Sequence, residues 1–481
     1  MHVTTIDRYL PEPGEFLSWS VDATNSVAQD SAVPPSFNQT VHLSGAGEHR
    51  TWLATAFDVP GSIDRCALAR AYHALVTRHG TLHSAFATRD DAMVRTEHDP
   101  ARLMLIPNPA VRESDSAALQ RSIWSAMDAA CDPFDFPAYL LGAIDRSGRS
   151  TILCGFDHSH VDAYSMSIIV DDLHRLYHGY RLEPASFSAD QLSMSGSFVD
   201  YCATEATTTD VASTDPRLRA WMEFFGEHHG RPPTFPLDLG LAPGDRAAQG
   251  VDVRHLLGTN ETQRLAALCR RNGSSLYGGV LSAMAHAVRD LGGGPDLAML
   301  FPMHTRRSEP WYTAVGWFTT NAPLTVVAHS CLQETIRRTG PELRRAMRLG
   351  GVPISQVINS LGGLDRVRDD IFMVSYVDYR TLPGARLHAE VDAQHISTVT
   401  TADDAQFWIS RTSRGLALRC RYPDTDIGCA TIRSFVDRVG AIVEQAARSD
   451  KQPDTAHLSD ASPLWGRPNP VRTHADNGLS A

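Results

Sequence analysis

The chain has 481 residues, of which 42% are hydrophobic, 21% charged and 8% aromatic, which excludes a disordered, collagen-like or membrane-spanning chain and is long enough for two large domains. Its formal charge of −11 argues against a dedicated nucleic-acid binder. Of the 44 basic residues Lys451 is the one lysine. The first forty residues, rich in Pro, Ser and Ala, read as extended, and Met1–Phe16 lacks the apolar core of a signal peptide. Leu68, Tyr72, Leu75 and Val76 recur at helical spacing and predict a helix over Ser62–His79 with Ser62 as N-cap. A second helix is predicted over Ser114–Ala130, a buried strand over Ser150–Phe156 and a helix over Tyr164–Tyr177. Ala203–Pro216, small, polar and Thr-rich, reads as a loop before a short helix, Leu218–Phe225, and a proline-rich connector, Arg231–Pro236.

The second half repeats an alternating plan. Strands are predicted over Val251–Leu257, Leu297–Met303, Ile371–Val377, Gln406–Ser410 and Ala417–Tyr422, and helices over Glu261–Arg271, Leu276–Leu291, Leu332–Arg348 and Thr431–Ala447. Residues 451–481 read as a disordered tail. The longest uncharged stretch, Asn272–Val288, is too polar and too short to span a bilayer. Eight scattered cysteines with no CxxC indicate reduced thiols, so the expectation is a cytoplasmic protein without stable membrane insertion.

Chemistry concentrates in Asp157-His158-Ser159-His160-Val161-Asp162-Ala163-Tyr164, at the end of a predicted strand and before a helix. Histidines in such a turn can be structural, but two His and two Asp within six residues demand many buried partners. His158-x-His160-x-Asp162 has zinc-ligand spacing, which would make the chain a zinc hydrolase. Against that, Ala163 stands where a further histidine belongs and no glycine pair follows. A neutral histidine at a strand end, held by an adjacent aspartate, also suits general-base catalysis at neutral pH.

His158-x-x-x-Asp162 resembles the HHxxxDG motif of the condensation-domain and chloramphenicol-acetyltransferase-like superfamily. Further matches follow in that superfamily's order over about residues 30–447. They are Pro35–Gln39 (S-x-x-Q), Arg78–Phe86 (RHxxLRxxF, with His83 for Arg), Asp132–Phe136 (PFDL), Trp221 with Phe224 and Phe225, Phe301–Arg307, Gly316–Leu324 (GxFxNxxPL) and Arg421–Asp424. The wording is most similar to the stand-alone polyketide-associated (Pap) acyltransferases. Two positions depart: Asp157 replaces the first His and Ala163 the Gly.

The resemblance implies an α/β (α+β) fold of two chloramphenicol-acetyltransferase-like subdomains, 15–215 and 216–450, set in a V around a tunnel. It implies an acyltransferase in which His158 deprotonates an acceptor hydroxyl that attacks a thioester, without a covalent acyl-enzyme. Asp162 would fix the loop through an ion pair with Arg306, Arg307 being second choice. Ala163, Tyr164, Trp317 and Asn321 would line the substrate crevice. His83 and His304 read as structural, and Gly278 and Gly279 as helix-packing positions. No metal or resident cofactor is expected. The partners would be acyl-CoA or an acyl carrier protein as donor and a hydroxylated sugar, lipid or polyketide-type acceptor, with the enzyme acting as a monomer. Two other readings stay open: a free-standing condensation enzyme joining carrier-bound substrates as amide or ester, and a non-catalytic carrier-binding relative. Arginine codons are GC-rich, so the near absence of lysine fits an actinobacterial genome.

Overall fold

The computed structural model describes residues 1–45 and 50–449, so the expected tail lies outside the described residues. The described residues form two large sheets and a small one. The first has eight strands, with the path His2–Thr5, Gln394–Ser397, Trp52–Pro60, Arg149–Asp157, Tyr139–Asp145, Gly14–Asp22, Met104–Pro107, and Val111–Glu113 pairing beside Gly14–Asp22. Its centre is buried on both faces, which is why Arg149–Asp157 reads as an unbroken apolar run and not as an alternating one. Ile152, Cys154 and Phe156 pack under the helices Arg65–Arg78 and Ala163–Leu182, while Leu153 packs opposite them against Ser116–Ala130. The small sheet pairs Gln29–Asp30, Ala92–Glu97 and Ser84–Arg89.

The second large sheet has seven strands in the order Thr319–Val327, Asp296–His304, Met373–Asp378, Gln406–Thr412, Gly415–Pro423, Ala247–Leu257, Thr401–Ala402. The helices Thr259–Arg271, Leu276–Asp290, Leu332–Leu349 and Asp426–Ser449 cover it in one continuous core. This is a mixed α/β architecture.

Several local expectations shift. The cap of the helix starting at Arg65 is Asp64, whose carboxylate accepts the Ala67 N–H at 2.9 Å, and not Ser62. A helix, Phe198–Ala206, intrudes on the expected loop because Phe198, Val199 and Cys202 present a buried stripe behind a Ser197 cap. The last helix starts at Asp426, five residues before the expected Thr431. Strands His2–Thr5 and Gly14–Asp22 lie in the extended N-terminal stretch.

The first sheet draws strands from outside residues 15–215. His2–Thr5, outside the expected 15–215 unit, belongs to the first sheet. So does Gln394–Ser397, which leaves the second half and pairs parallel to His2–Thr5 and antiparallel to Trp52–Pro60. No helix among the described residues is long and apolar enough to cross a membrane.

Candidate active site

His158 stands at the carboxyl end of the central strand Arg149–Asp157, in a single 3-10 turn, His158–His160. The turn is braced from four sides. Its first N–H donates to the Thr51 carbonyl at 2.9 Å. Asp157 caps it by accepting the Ser159 N–H at 2.8 Å. Thr81 Oγ1 lies 3.0 Å from His160 Nδ1, and Gln39 Nε2 donates to the Ser159 carbonyl at 2.8 Å.

That last bond explains the early S-x-x-Q element. Ser36 and Gln39 form a capping box, in which the Ser36 N–H donates to Gln39 Oε1 at 2.9 Å and the Gln39 N–H to Ser36 Oγ at 3.2 Å. The box leaves the Gln39 amide N–H free to hold the histidine turn. The Arg78-His79 pair works at one remove: Arg78 Nε and His79 Nε2 both reach Asp172 Oδ2, at 2.9 and 3.0 Å, and so lock the helix that follows the turn.

Asp162 turns away from His158. It caps the helix Ala163–Leu182, accepting the Ser165 N–H at 2.8 Å. Arg306 grips the same carboxylate with two parallel bonds, Nη1 to Oδ2 at 2.6 Å and Nη2 to Oδ1 at 3.0 Å, and the Phe318 N–H also donates to Oδ2, at 3.2 Å. Ser165 Oγ is 2.8 Å from Asp162 Oδ1 and 2.9 Å from the Gly316 carbonyl. Arg306 also donates to the Ala314 and Gly316 carbonyls and lies with Cζ 4.4 Å from both the Tyr164 and Phe318 ring centroids. Burial pushes the Asp162 carboxyl up, but the Arg306 guanidinium and the Ser165 bonds outweigh it and hold it below the usual carboxylate range. This bidentate pair joins the His158 loop of one sheet to the edge of the other.

The Trp317 ring covers His158, with centroids 4.1 Å apart. Ala163 is the first residue of its helix and is not in the left-handed region, so the backbone here makes no demand for the motif's glycine. Tyr164 packs on the guanidinium of Arg306 and 5.8 Å from the His304 ring. Asn321 lies farther along the strand Thr319–Val327, opposite Pro302, with no hydrogen bond or ring contact to His158. Thus His158, Trp317, Asp162, Ala163, Tyr164 and Arg306 are brought together.

His42 belongs to this group and the sequence did not single it out. Its Nε2 lies 3.1 and 3.2 Å from the two oxygens of the fully buried Asp157, and its ring is 6.3 Å from His158 and 5.7 Å from Trp317. Two signals were available. Asp157 is a carboxylate that needs a partner, and His42 sits at i+3 from Gln39 on the same short helix, Phe37–Gly45. Burial and then the like charge of His42 push the His158 imidazole below its ordinary value, so it is neutral at pH 7. For Asp157, burial pushes upward, but the His42 and Ser159 bonds prevail and keep it ionised.

The zinc reading needs three side chains to converge, and they do not. His160 points to Thr81 and stacks on Phe86 at 5.5 Å, while Asp162 is committed to Arg306. Among the described residues no three His, Cys, Asp or Glu side chains gather to hold a metal ion.

Comparison with known proteins agrees with this geometry. The Condensation domain family matches residues 36–461, and the chain belongs to that family. It is 25% identical to the acyltransferase PapA3 of Mycobacterium tuberculosis over 94% of this chain and 98% of the relative. It is also 25% identical to the 2'-acyl-2-O-sulfo-trehalose (hydroxy)phthioceranyltransferase PapA1 of the same species, over 98% and 93%. The solved structure of the PapA2 acyl transferase superposes with a TM-score of 0.83 at 23% identity, covering 93% of this chain and all of that one. The fold is that of the chloramphenicol-acetyltransferase-like superfamily, and the protein is an acyltransferase.

Proposed function

We propose that this enzyme moves an acyl group from a thioester, on CoA or on a carrier-protein phosphopantetheine, to a hydroxyl of a sugar or lipid acceptor, with His158 as general base. The observation that carries this reading is the state of the His158 ring. Its Nδ1 is buried with no hydrogen-bond partner, which leaves Nε2 as the nitrogen to meet the acceptor hydroxyl. A ring kept neutral by burial, and fixed under Trp317, suits proton removal at pH 7. The acceptor oxygen attacks the thioester carbonyl as its proton passes to Nε2. The tetrahedral intermediate collapses, the C–S bond breaks, and the imidazolium returns the proton to the leaving thiolate. The developing oxyanion would be met by backbone N–H groups near Asp162 and Ala163, at the start of the helix Ala163–Leu182.

The sugar-lipid acceptor class is supported by the names of the relatives, which specify acylated sulfo-trehalose and trehalose-2-sulfate. Eight cysteines, all without a disulfide, support a reducing cytoplasmic setting. Both large sheets lie in one chain, which supports a monomer as the working unit.

The test is mass-spectrometric detection of acyl transfer from acyl-CoA and acyl-carrier donors to matched alcohol and amine acceptors. Ester products are expected, and the rate is expected to fall about 10²–10⁴-fold in His158→Ala with unchanged circular dichroism. Full turnover in that folded variant would remove His158 from the role of base. Amide products alone would make the enzyme a condensation catalyst.

A further inference from the structure

Of the buried arginines, Arg306 and Arg419 stand beside the seam between the large sheets, and they are treated oppositely. Arg306 meets Asp162. Arg419, on the strand Gly415–Pro423, is 7% exposed, and among the described residues no carboxylate pairs with it. Its Nη1 donates to Ser397 Oγ, its Cζ lies 4.3 Å from the Trp408 ring centroid, and its Nε is sealed with no acceptor. One neutral hydroxyl and one aromatic face do not replace the hydration lost by a guanidinium, so this is a costly arrangement for the empty protein. Burial brings the Arg419 pKa down to about 10, which leaves it cationic at neutral pH.

The neighbourhood has a second unpartnered polar group. His395, 3% exposed, shares its Nδ1 with the Tyr379 hydroxyl at 2.8 Å, and its Nε2 is sealed without a partner. His395 and Ser397 lie on the same side of the crossover strand Gln394–Ser397, at alternate positions. The groups acting on Arg419 are Tyr379, Arg421 and Cys420, none of them a carboxylate.

The register places this cluster beside the reaction centre. Ser397 is level with Leu53, and Leu53 with Phe156, two residues before His158. Two strand spacings put Ser397 about 10 Å from the end of the active-site strand. His158, Asp162 and Arg419 all lie near enough to His395 to influence its ring. A substrate with its hydroxyl on His158 could therefore reach the cluster with a group one disaccharide-length away.

We propose that Arg419, with Ser397 and His395, binds an anionic substituent (a sulfate, phosphate or carboxylate) that a substrate carries beside the reacting hydroxyl or thioester. The anion supplies the missing counter-charge, and the planar guanidinium fork suits such a group. Which substrate bears it rests on the acyltransferase reading; anion binding itself does not.

The test uses the full chain and inorganic sulfate, titrated against chloride at equal ionic strength by thermal shift and calorimetry. Wild type is expected to show a saturable response, and so is His158→Ala. Arg419→Met is expected to bind sulfate at least tenfold more weakly and to melt at or above the wild-type temperature in chloride, because it removes an uncompensated buried charge at similar volume. Equal sulfate binding in Arg419→Met, or no saturable response in wild type, would overturn the proposal. So would an Arg419→Met chain that fails to fold or melts well below wild type, since the guanidinium would then be a strut between the sheets.

Turnover then identifies the carrier of the anion. If the acceptor carries it, the KM advantage of trehalose 2-sulfate over trehalose disappears in Arg419→Met. If the donor carries it, what disappears is the advantage of acyl-CoA over the phosphate-free acyl-N-acetylcysteamine thioester. Sulfate binding without acyl transfer to any acceptor would refute the reaction assigned above and leave the anion site standing.

Discussion

Replacing Arg306 by methionine leaves a carboxylate stranded in the seam between the two sheets. Asp162 accepts five hydrogen bonds, two of them from Arg306 and three from Ser165 and Phe318. The variant keeps the three neutral donors and loses the one opposite charge that pairs with Asp162 among the described residues. Removing one partner of a buried pair costs about 3–5 kcal/mol, a large part of the roughly 5–15 kcal/mol that holds a typical native protein.

The pH dependence should invert as well. In the wild type the Asp162 pKa is depressed, so its contribution is present above the unfolded carboxyl value and is lost as pH falls through the lower folded value. Without Arg306, only the Ser165 bonds oppose burial and the pKa rises above its wild-type value, so the variant should gain stability relative to wild type as pH falls from 8 toward 5. Urea unfolding followed by far-ultraviolet circular dichroism at both pH values gives the comparison, provided that the slopes agree. The double variant Asp162→Leu, Arg306→Met should recover much of the loss, because no charge is left buried. A single variant within about 0.5 kcal/mol of wild type, the scatter expected of an ordinary surface change, would refute the argument.

Three further outcomes follow from the geometry. The kcat/KM profile should rise with pH through an inflection below the ordinary histidine value of about 6.5, and His42→Gln should move that inflection upward by removing a like charge 6.3 Å from His158; an unmoved inflection would separate His42 from the base. In Gly316→Ala the new methyl would meet the Phe198 ring at 2.3 Å, which should cost roughly 1–3 kcal/mol in denaturant unfolding. Asp404 is 1% exposed, and its pKa is raised to about 7 by burial, so the stability it contributes is lost as pH rises from its unfolded value through 7. Asp404→Asn should therefore raise the melting temperature more at pH 8 than at pH 5, and an equal change at both would show that the carboxyl is not held protonated.

Much of this was legible in the chain itself. Helices such as Leu276–Asp290 and Leu332–Leu349 follow from local periodicity, and their observed ends fall within one residue of those expected. The strand–turn–helix around His158 was legible for the same reason: a buried apolar run, a polar turn and a capping aspartate are neighbours in sequence. Long, fully buried strands were harder. Trp52–Pro60 and Tyr139–Asp145 are apolar on both faces, so neither carries the alternation that marks a half-exposed strand.

Tertiary structure decided what depends on distant partners. Arg306 and Arg419 have the same residue type and similar burial, and nothing in their local sequence distinguishes the arginine that meets an aspartate from the one that meets none. His42 lies 115 residues from Asp157, and Gln394–Ser397 joins a sheet built from the other half of the chain. Local propensity and hydrophobic period act over one or two turns of backbone. Counter-charges, hydrogen-bond partners and strand neighbours are set by the packing of the whole molecule, and the chemistry of this site depends on them.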